Sequence, residues 1–179
     1  MIEVRRLRSD DDRKYLDYII RNRTFMKPYE PVRPDEYYTR DGQKKRLVEA
    51  EEQWEKDEKY SFGIFLDDRQ LLIGNINLSN IARGAFQNCT IGYSLDQAYN
   101  RKGFMTTAVK KVAQLAFREL HLHRIEAAVK LDNIASCRVL EKVGFSFIGI
   151  SHYHLQINGV WQDHKIYALT VEQSGVLTK

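Results

Sequence analysis

The stretch Tyr99-Asn100-Arg101-Lys102-Gly103-Phe104-Met105-Thr106-Thr107-Ala108 gathers residue types that can hold a phosphate. A strand-like run, Thr90 to Leu95, leads into it. Met105, Ala108, Val109, Val112, Leu115, Ala116 and Leu120 then recur at three and four, the spacing of one helix face. The first amides of a helix have no partner within it, and the helix dipole is positive at that end. Gly103 permits a positive φ or a close backbone approach, while Arg101 and Lys102 add charge. Taken alone, the loop is equally consistent with an ordinary strand-to-helix turn that needs a glycine.

Two further stretches stand out. Phe25-Met26-Lys27-Pro28-Tyr29-Glu30-Pro31-Val32-Arg33-Pro34 holds all three prolines of the chain, so it reads as a semi-rigid loop. It is either a connector or a substrate-facing lid; Tyr29, Glu30 and Arg33 are poor choices for a purely structural link. Asp132-Asn133-Ile134-Ala135-Ser136 opens another helix, with Asn133 as N-cap, Cys137, Leu140 and Val143 as its buried stripe and Gly144 as C-cap.

These stretches need elements to position them. Ile2 to Leu7 reads as a first strand. Ser9-Asp10-Asp11-Asp12 is an acidic cluster at a helix start, and Tyr15, Leu16, Ile19 and Ile20 form the buried stripe of a helix running to about Asn22. Asp35 to Asp57 has a weak helical stripe (Leu47, Val48, Ala50, Trp54) and reads as one broken or two short helices. Tyr60 to Leu66 and Leu71 to Leu78 form a hairpin about the turn Asp67–Gln70, and Ser79 to Gln87 connects it to the strand Cys89–Leu95. His121 and His123 sit at a helix end as caps or surface residues. Arg124 to Lys130 alternates as a strand, and Phe145 to Gln156 pairs with Val160 to Thr170 through Asn158-Gly159.

The chain of 179 residues is long enough for one domain with a proper core. We expect that domain over residues 1–172 and a frayed tail over 173–179. A hydrophobic share of 43%, a charged share of 29% and a net charge of +4 describe a mildly basic soluble protein. Cys89 and Cys137 lie in apolar stretches without metal-ligand spacing, so they read as buried reduced thiols, and no metal is expected. There is no signal-like apolar stretch and no run approaching the ~18 apolar residues of a membrane span, which points to the cytoplasm and away from membranes.

Together, Asn100–Met105, Asn133-Ile134-Ala135-Ser136 and Glu141-Lys142-Val143-Gly144-Phe145 resemble the GNAT acetyltransferases. Asn22 to Arg33, Leu78-Ser79-Asn80, Arg83-Gly84, Gly92-Tyr93-Ser94 and Ile157 to His164 resemble, within that family, the RimJ/RimL type of ribosomal-protein-alanine N-acetyltransferase. The resemblance covers roughly Ile2 to Thr170. In one respect the chain departs from it: the pyrophosphate loop of the family usually reads Gln/Arg-x-x-Gly-x-Gly/Ala, and here Asn100 and Met105 take the first and last places.

The resemblance implies an α+β GNAT fold: about seven strands, mostly antiparallel, with a central parallel pair splayed for coenzyme A and helices on both sides. It implies acetyl-CoA as donor and no metal. Backbone groups of Tyr93, Ser94 and Leu95 would pair with the pantetheine amides. Arg101, Lys102, Gly103, Phe104, Met105 and Thr106 would hold the pyrophosphate, and Asn133 would reach the pantetheine arm. Ser136 is the expected acid for the leaving thiolate. His154 and Glu30 are rival bases, His152 sharing the strand face of His154, and Tyr29, Glu30 and Arg33 would bind substrate. A protein α-amine, with pKa about 8 against about 10.4 for lysine, is easier to deprotonate at neutral pH by about 3 kcal/mol, so a modest base suffices. The expected acceptor is a protein N-terminus, that of a ribosomal protein beginning with alanine or another small residue. A small amine, an antibiotic or a lysine side chain is the alternative, and a non-catalytic RNA- or ribosome-associated module the second. No direct nucleic-acid function is expected, and a homo-oligomer is left open.

Overall fold

The computed structural model describes residues 1–66 and 70–176, which leaves the expected turn at Asp67–Arg69 and the end of the tail outside the described residues. In chain order the elements are β1 (Ile2–Arg6), α1 (Asp12–Met26), α2 (Arg40–Glu55), β2 (Tyr60–Leu66), β3 (Leu71–Ala82), β4 (Asn88–Leu95), α3 (Phe104–Arg118), β5 (Arg124–Lys130), α4 (Ile134–Val143), β6 (Ser146–Ile157) and β7 (Val160–Thr170). The strands form one sheet in the order β1-β2-β3-β4-β5-β7-β6. Among the described strands only β4 and β5 pair in parallel. This is the mixed α+β sheet that the resemblance implied.

Strand alternation divides the core between the two faces of the sheet. Ile64, Ile73 and Ile76 pack with Ala108, Val109 and Val112 of α3 and Leu140 of α4. Their neighbours Phe65 and Leu72 point the other way, against Tyr15, Tyr18 and Ile19 of α1 and Leu47 of α2. Helices therefore cover both faces of the first half of the sheet.

Several boundaries differ from the sequence reading. α1 continues to Met26, one turn beyond Asn22, because Met26 is itself buried; Pro28 lies just beyond. Tyr18 (1% exposed) takes the buried place expected of Ile20 (53% exposed), since its hydroxyl reaches Ser94 on the sheet at 2.8 Å. The carboxylates of Asp11 and Asp12 are buried ion-pair partners as well as helix-start residues. Asp11 accepts two hydrogen bonds of 2.8 Å from Arg5, and Asp12 accepts one of 2.6 Å from Arg40.

The segment Asp35–Asp57 is a short 3-10 turn, Asp35–Tyr38, followed by one unbroken α2. Thr39 separates them, its hydroxyl accepting from the Gly42 amide. A Cβ at Gly42 would lie 2.0 Å from the Glu36 carbonyl oxygen, so only glycine fits against that turn. β3 runs on to Ala82, past the expected Leu78. The β6–β7 hairpin turns through Asn158 (φ 50) and Gly159 (φ 80), the positive-φ pair foreseen there. Cys89 and Cys137 are buried free thiols. Residues 171–176 form turns, the Ser174 amide donating to the Thr170 carbonyl and Val176 packing on the core.

Candidate active site

β4 and β5 are paired only from Asn88–Thr90 against Arg124–Glu126. Beyond that point β4 stays with β3 as far as Leu95, and β5 stays with β7 as far as Lys130. The two strands therefore part, and from Ile91 to Leu95 one edge of β4 faces no strand. An edge of unpaired amides and carbonyls inside a sheet is a seat for an extended ligand rich in amides.

At the open end of that splay the chain enters α3. Gly103 is the N-cap at φ 78, and a Cβ there would meet nothing within 4 Å, so the space in front of it is open. Arg101 also holds a positive φ, 63°, a conformation that L residues rarely adopt. The Thr107 amide bonds the Gly103 carbonyl at 3.0 Å, while the amides before it are the unpaired first turn of the helix. Arg101, Gly103, Phe104, Met105 and Thr106 all line the cleft described below. The Lys102 side chain does not: its ammonium lies 4.9 Å from the centre of the Tyr99 ring, drawn there by the cation–π attraction. Unpaired amides, an open glycine and arginine at a helix N-terminus fit a pyrophosphate, and the free β4 edge fits a pantetheine arm.

Across the splay, the Asn133 side-chain oxygen accepts from the Ser136 amide at 3.1 Å and caps α4, leaving its amide nitrogen for a ligand. The Ser136 hydroxyl shares a 2.8 Å hydrogen bond with the Tyr93 phenol, which also donates to the Ser136 carbonyl at 3.2 Å. Burial pushes the Tyr93 pKa well up, so the phenol stays protonated. Two residues 43 positions apart, one expected for the cofactor and one for the acid, are joined in a single pair.

All of this opens into one cleft of about 960 Å³, whose other end is closed by α1, α2 and the proline segment between them. Tyr29, Glu30 and Arg33 line it as foreseen. The Glu30 carboxylate is half-buried; burial raises its pKa, while Arg33, 3.9 Å away, and Arg46 pull against that. A smaller cavity of about 250 Å³ lies between the proline segment and the tip of the β6–β7 hairpin, and shares the wall Met26, Glu30, Arg33 and Tyr37 with the cleft.

His154 is not brought to this cleft, to which β6 and β7 contribute no lining residue. β6 is the outermost strand, and a bulge between Ser151 and Leu155, with Tyr153 at φ 50, breaks its alternation. His154 Nδ1 shares a 2.9 Å hydrogen bond with Ser151, and partial burial together with His164 lowers its pKa. His152 therefore does not share its face; it is paired instead with Asp163 at 2.8 Å.

The sequence reading missed two features. Arg46, Lys59, Arg138 and Lys142 also line the cleft; of these, only the i, i+4 pair on α4 leaves a local signal. A hydrogen-bonded chain links Tyr18, Ser94, Asn75 and Tyr15: Ser94 donates to Asn75 at 2.7 Å, and Asn75 donates to the Tyr15 hydroxyl. Burial drives the Tyr15 pKa up to about 12. No spacing in the sequence announces a network drawn from α1, β3 and β4.

Comparison with known proteins agrees with this geometry. Residues 2–146 match the family described as the acetyltransferase (GNAT) domain. Over 168 residues the chain is 49% identical to a probable N-acetyltransferase of Bacillus subtilis, YjcK, covering 94% of this chain and 93% of that one. It is 36% identical to the [ribosomal protein uS5]-alanine N-acetyltransferase of Escherichia coli, over 93% of this chain and 86% of that one. The crystal structure of the ribosomal-protein-S5-alanine acetyltransferase from Vibrio fischeri superposes with a TM-score of 0.90 at 34% identity, covering 94% of this chain and 92% of that one.

Proposed function

The chain belongs to the GNAT family and is an N-acetyltransferase, and we propose that it moves the acetyl group of acetyl-CoA to the N-terminal amine of a protein. A ribosomal protein beginning with alanine or another small residue is the acceptor that the Escherichia coli and Vibrio fischeri relatives support. The observation that carries the choice of acceptor is the charge of the cleft. Among the described lining residues Glu30 is the one carboxylate, facing Arg33, Arg46, Lys59, Arg101, Arg138 and Lys142. Such a wall suits an anionic donor and an acceptor with a single amine. It repels a polyamine or an aminoglycoside, whose several ammonium groups each need a carboxylate.

In this reading Glu30 receives the incoming ammonium and, directly or through water, takes its proton; a carboxyl raised by burial is better matched to that task than an exposed one. As the new N–C bond forms, the nitrogen gives up its second proton to water; as the thioester C–S bond breaks, the Ser136 hydroxyl gives the departing sulfur a proton, which it regains from water. Tyr93 holds that hydroxyl in place. The unpaired β4 edge and the first turn of α3 bind and aim the donor. The whole function rests on one domain over residues 1–172, at work in the cytoplasm beside its acceptor.

The test is release of coenzyme A thiol in a panel of alanine-starting peptides, spermidine and an aminoglycoside. Turnover of the peptides well above the polycations is expected; turnover of spermidine alone overturns the acceptor assignment.

A further inference from the structure

The smaller cavity carries a meaning that the acetyl-transfer site does not exhaust. Its floor is the end of α1, its roof includes the hairpin tip, and its back wall is the Glu30–Arg33 partition it shares with the cleft. Asn158, at the hairpin tip, donates to the Lys27 carbonyl at 3.3 Å, which fixes the hairpin over the cavity mouth. Any chain reaching Glu30 from this side runs through the cavity.

The charges along that route are ordered. Glu30 and Arg33 stand at the inner wall shared with the cleft; Arg23 and Lys27 line the smaller cavity alone. Neither Arg23 nor Lys27 has a carboxylate partner among the described residues. Arg23 lies flat on Tyr38, its guanidinium carbon 3.9 Å from the ring centre, and a stacked guanidinium keeps its N–H edge for a bidentate carboxylate. Arg33 is held over Tyr37 at 4.8 Å, and its buried Nε stands 3.9 Å from Glu30, too far for a hydrogen bond, with no other hydrogen-bond partner among the described residues. An orphaned buried donor is costly, and its natural remedy is an acceptor brought by a ligand. Cations at the end of α1 suit the helix dipole. That placement does not account for a cavity beside them, or for a buried donor left waiting.

We infer that this cavity is a subsite for an acidic side chain of the acceptor, carried a few residues behind the N-terminal amine that Glu30 receives. The ligand class is an N-terminal peptide whose positive end is followed closely by aspartate or glutamate. Its amine meets Glu30, and its acid meets Arg23, Lys27 and Arg33. This rests on the N-terminal acceptor reading above and narrows it to a subset of protein termini.

The experiment compares three otherwise identical alanine-starting peptides bearing Glu, Gln or Lys at their third and fourth positions. With the wild-type enzyme, kcat/KM should fall in the order Glu, Gln, Lys, with about tenfold between the first and last and most of it in KM. The spread should shrink as salt is raised. In Arg23→Glu/Lys27→Glu the order should reverse, checked on protein whose melting temperature shows it is folded. Three equal rates with robust turnover overturn the subsite and leave N-terminal acetylation standing. Absence of turnover with every peptide overturns the acceptor reading and the subsite with it. The wild-type comparison decides the question even where the double variant does not fold.

Discussion

At the donor end of the cleft the groups that meet the ligand are mainly backbone: the free edge of β4, the amides that open α3, and Gly103 at its positive φ. At the acceptor end they are side chains, brought from α1, the proline segment, α2 and β3 to one wall. Backbone recognition constrains the chain locally, through a glycine at one place and a helix start just after it. Side-chain recognition constrains only the final meeting point, which depends on long-range ties such as that of Arg21 in α1 to Asp96, 75 positions later, just beyond β4. The first kind of site changes slowly with sequence, while the second can be re-aimed by single substitutions.

The two ends should separate under mutation. The largest effect is expected where they meet, at Ser136: Ser136→Ala should lower kcat about 100-fold with little change in either KM, as loss of a general acid does. A rate near wild type would remove Ser136 from that role. Next comes Gly103→Val, which strains a left-handed position by about 1–2 kcal/mol and fills the space before the helix. It should raise the KM for acetyl-CoA by roughly tenfold or more and leave the peptide KM alone; a matching rise in peptide KM would show that the ends are not separable.

Glu30→Gln should do the reverse, lowering kcat/KM for peptide by about tenfold with donor binding unchanged. It also carries a pH signature. Burial raises the Glu30 pKa, so its basic form is gained as pH rises through a value above the ordinary carboxylate range. The acid limb of wild-type kcat/KM should therefore lie above that range, and in the glutamine variant it should follow the amine alone. The smallest effect belongs to His154→Ala, expected within about twofold of wild type because the ring lies off the cleft and is spent on Ser151. A loss as large as that of Glu30→Gln would return the base to β6.

What the sequence made legible follows the same division. Strand, glycine loop and helix start stand next to one another in the chain, so residues 90–108 put a phosphate cradle and a plain turn on equal terms. Asn133–Ser136 one strand later, with the other matching stretches, favours the cradle. Asn133 and Ser136 were legible because a capping residue and the amide it caps are three apart. The Tyr93–Ser136 pair was not, because only the parting of β4 and β5 lets α4 stand over β4. His154 misled for a related reason. Alternation along β6 assumed a regular strand, and one left-handed residue at Tyr153 undid it. The Tyr15–Asn75–Ser94–Tyr18 chain depends on the register of three elements and leaves no pattern in any of them.

The account is tested most directly by one measurement on a peptide that offers both kinds of amine, an alanine N-terminus and an internal lysine. After reaction with acetyl-CoA, fragmentation mass spectrometry locates the acetyl group. A cleft with a single carboxylate and a modest base predicts acetyl on the α-amine and none on the lysine side chain; acetyl on the lysine, with the N-terminus free, would contradict it.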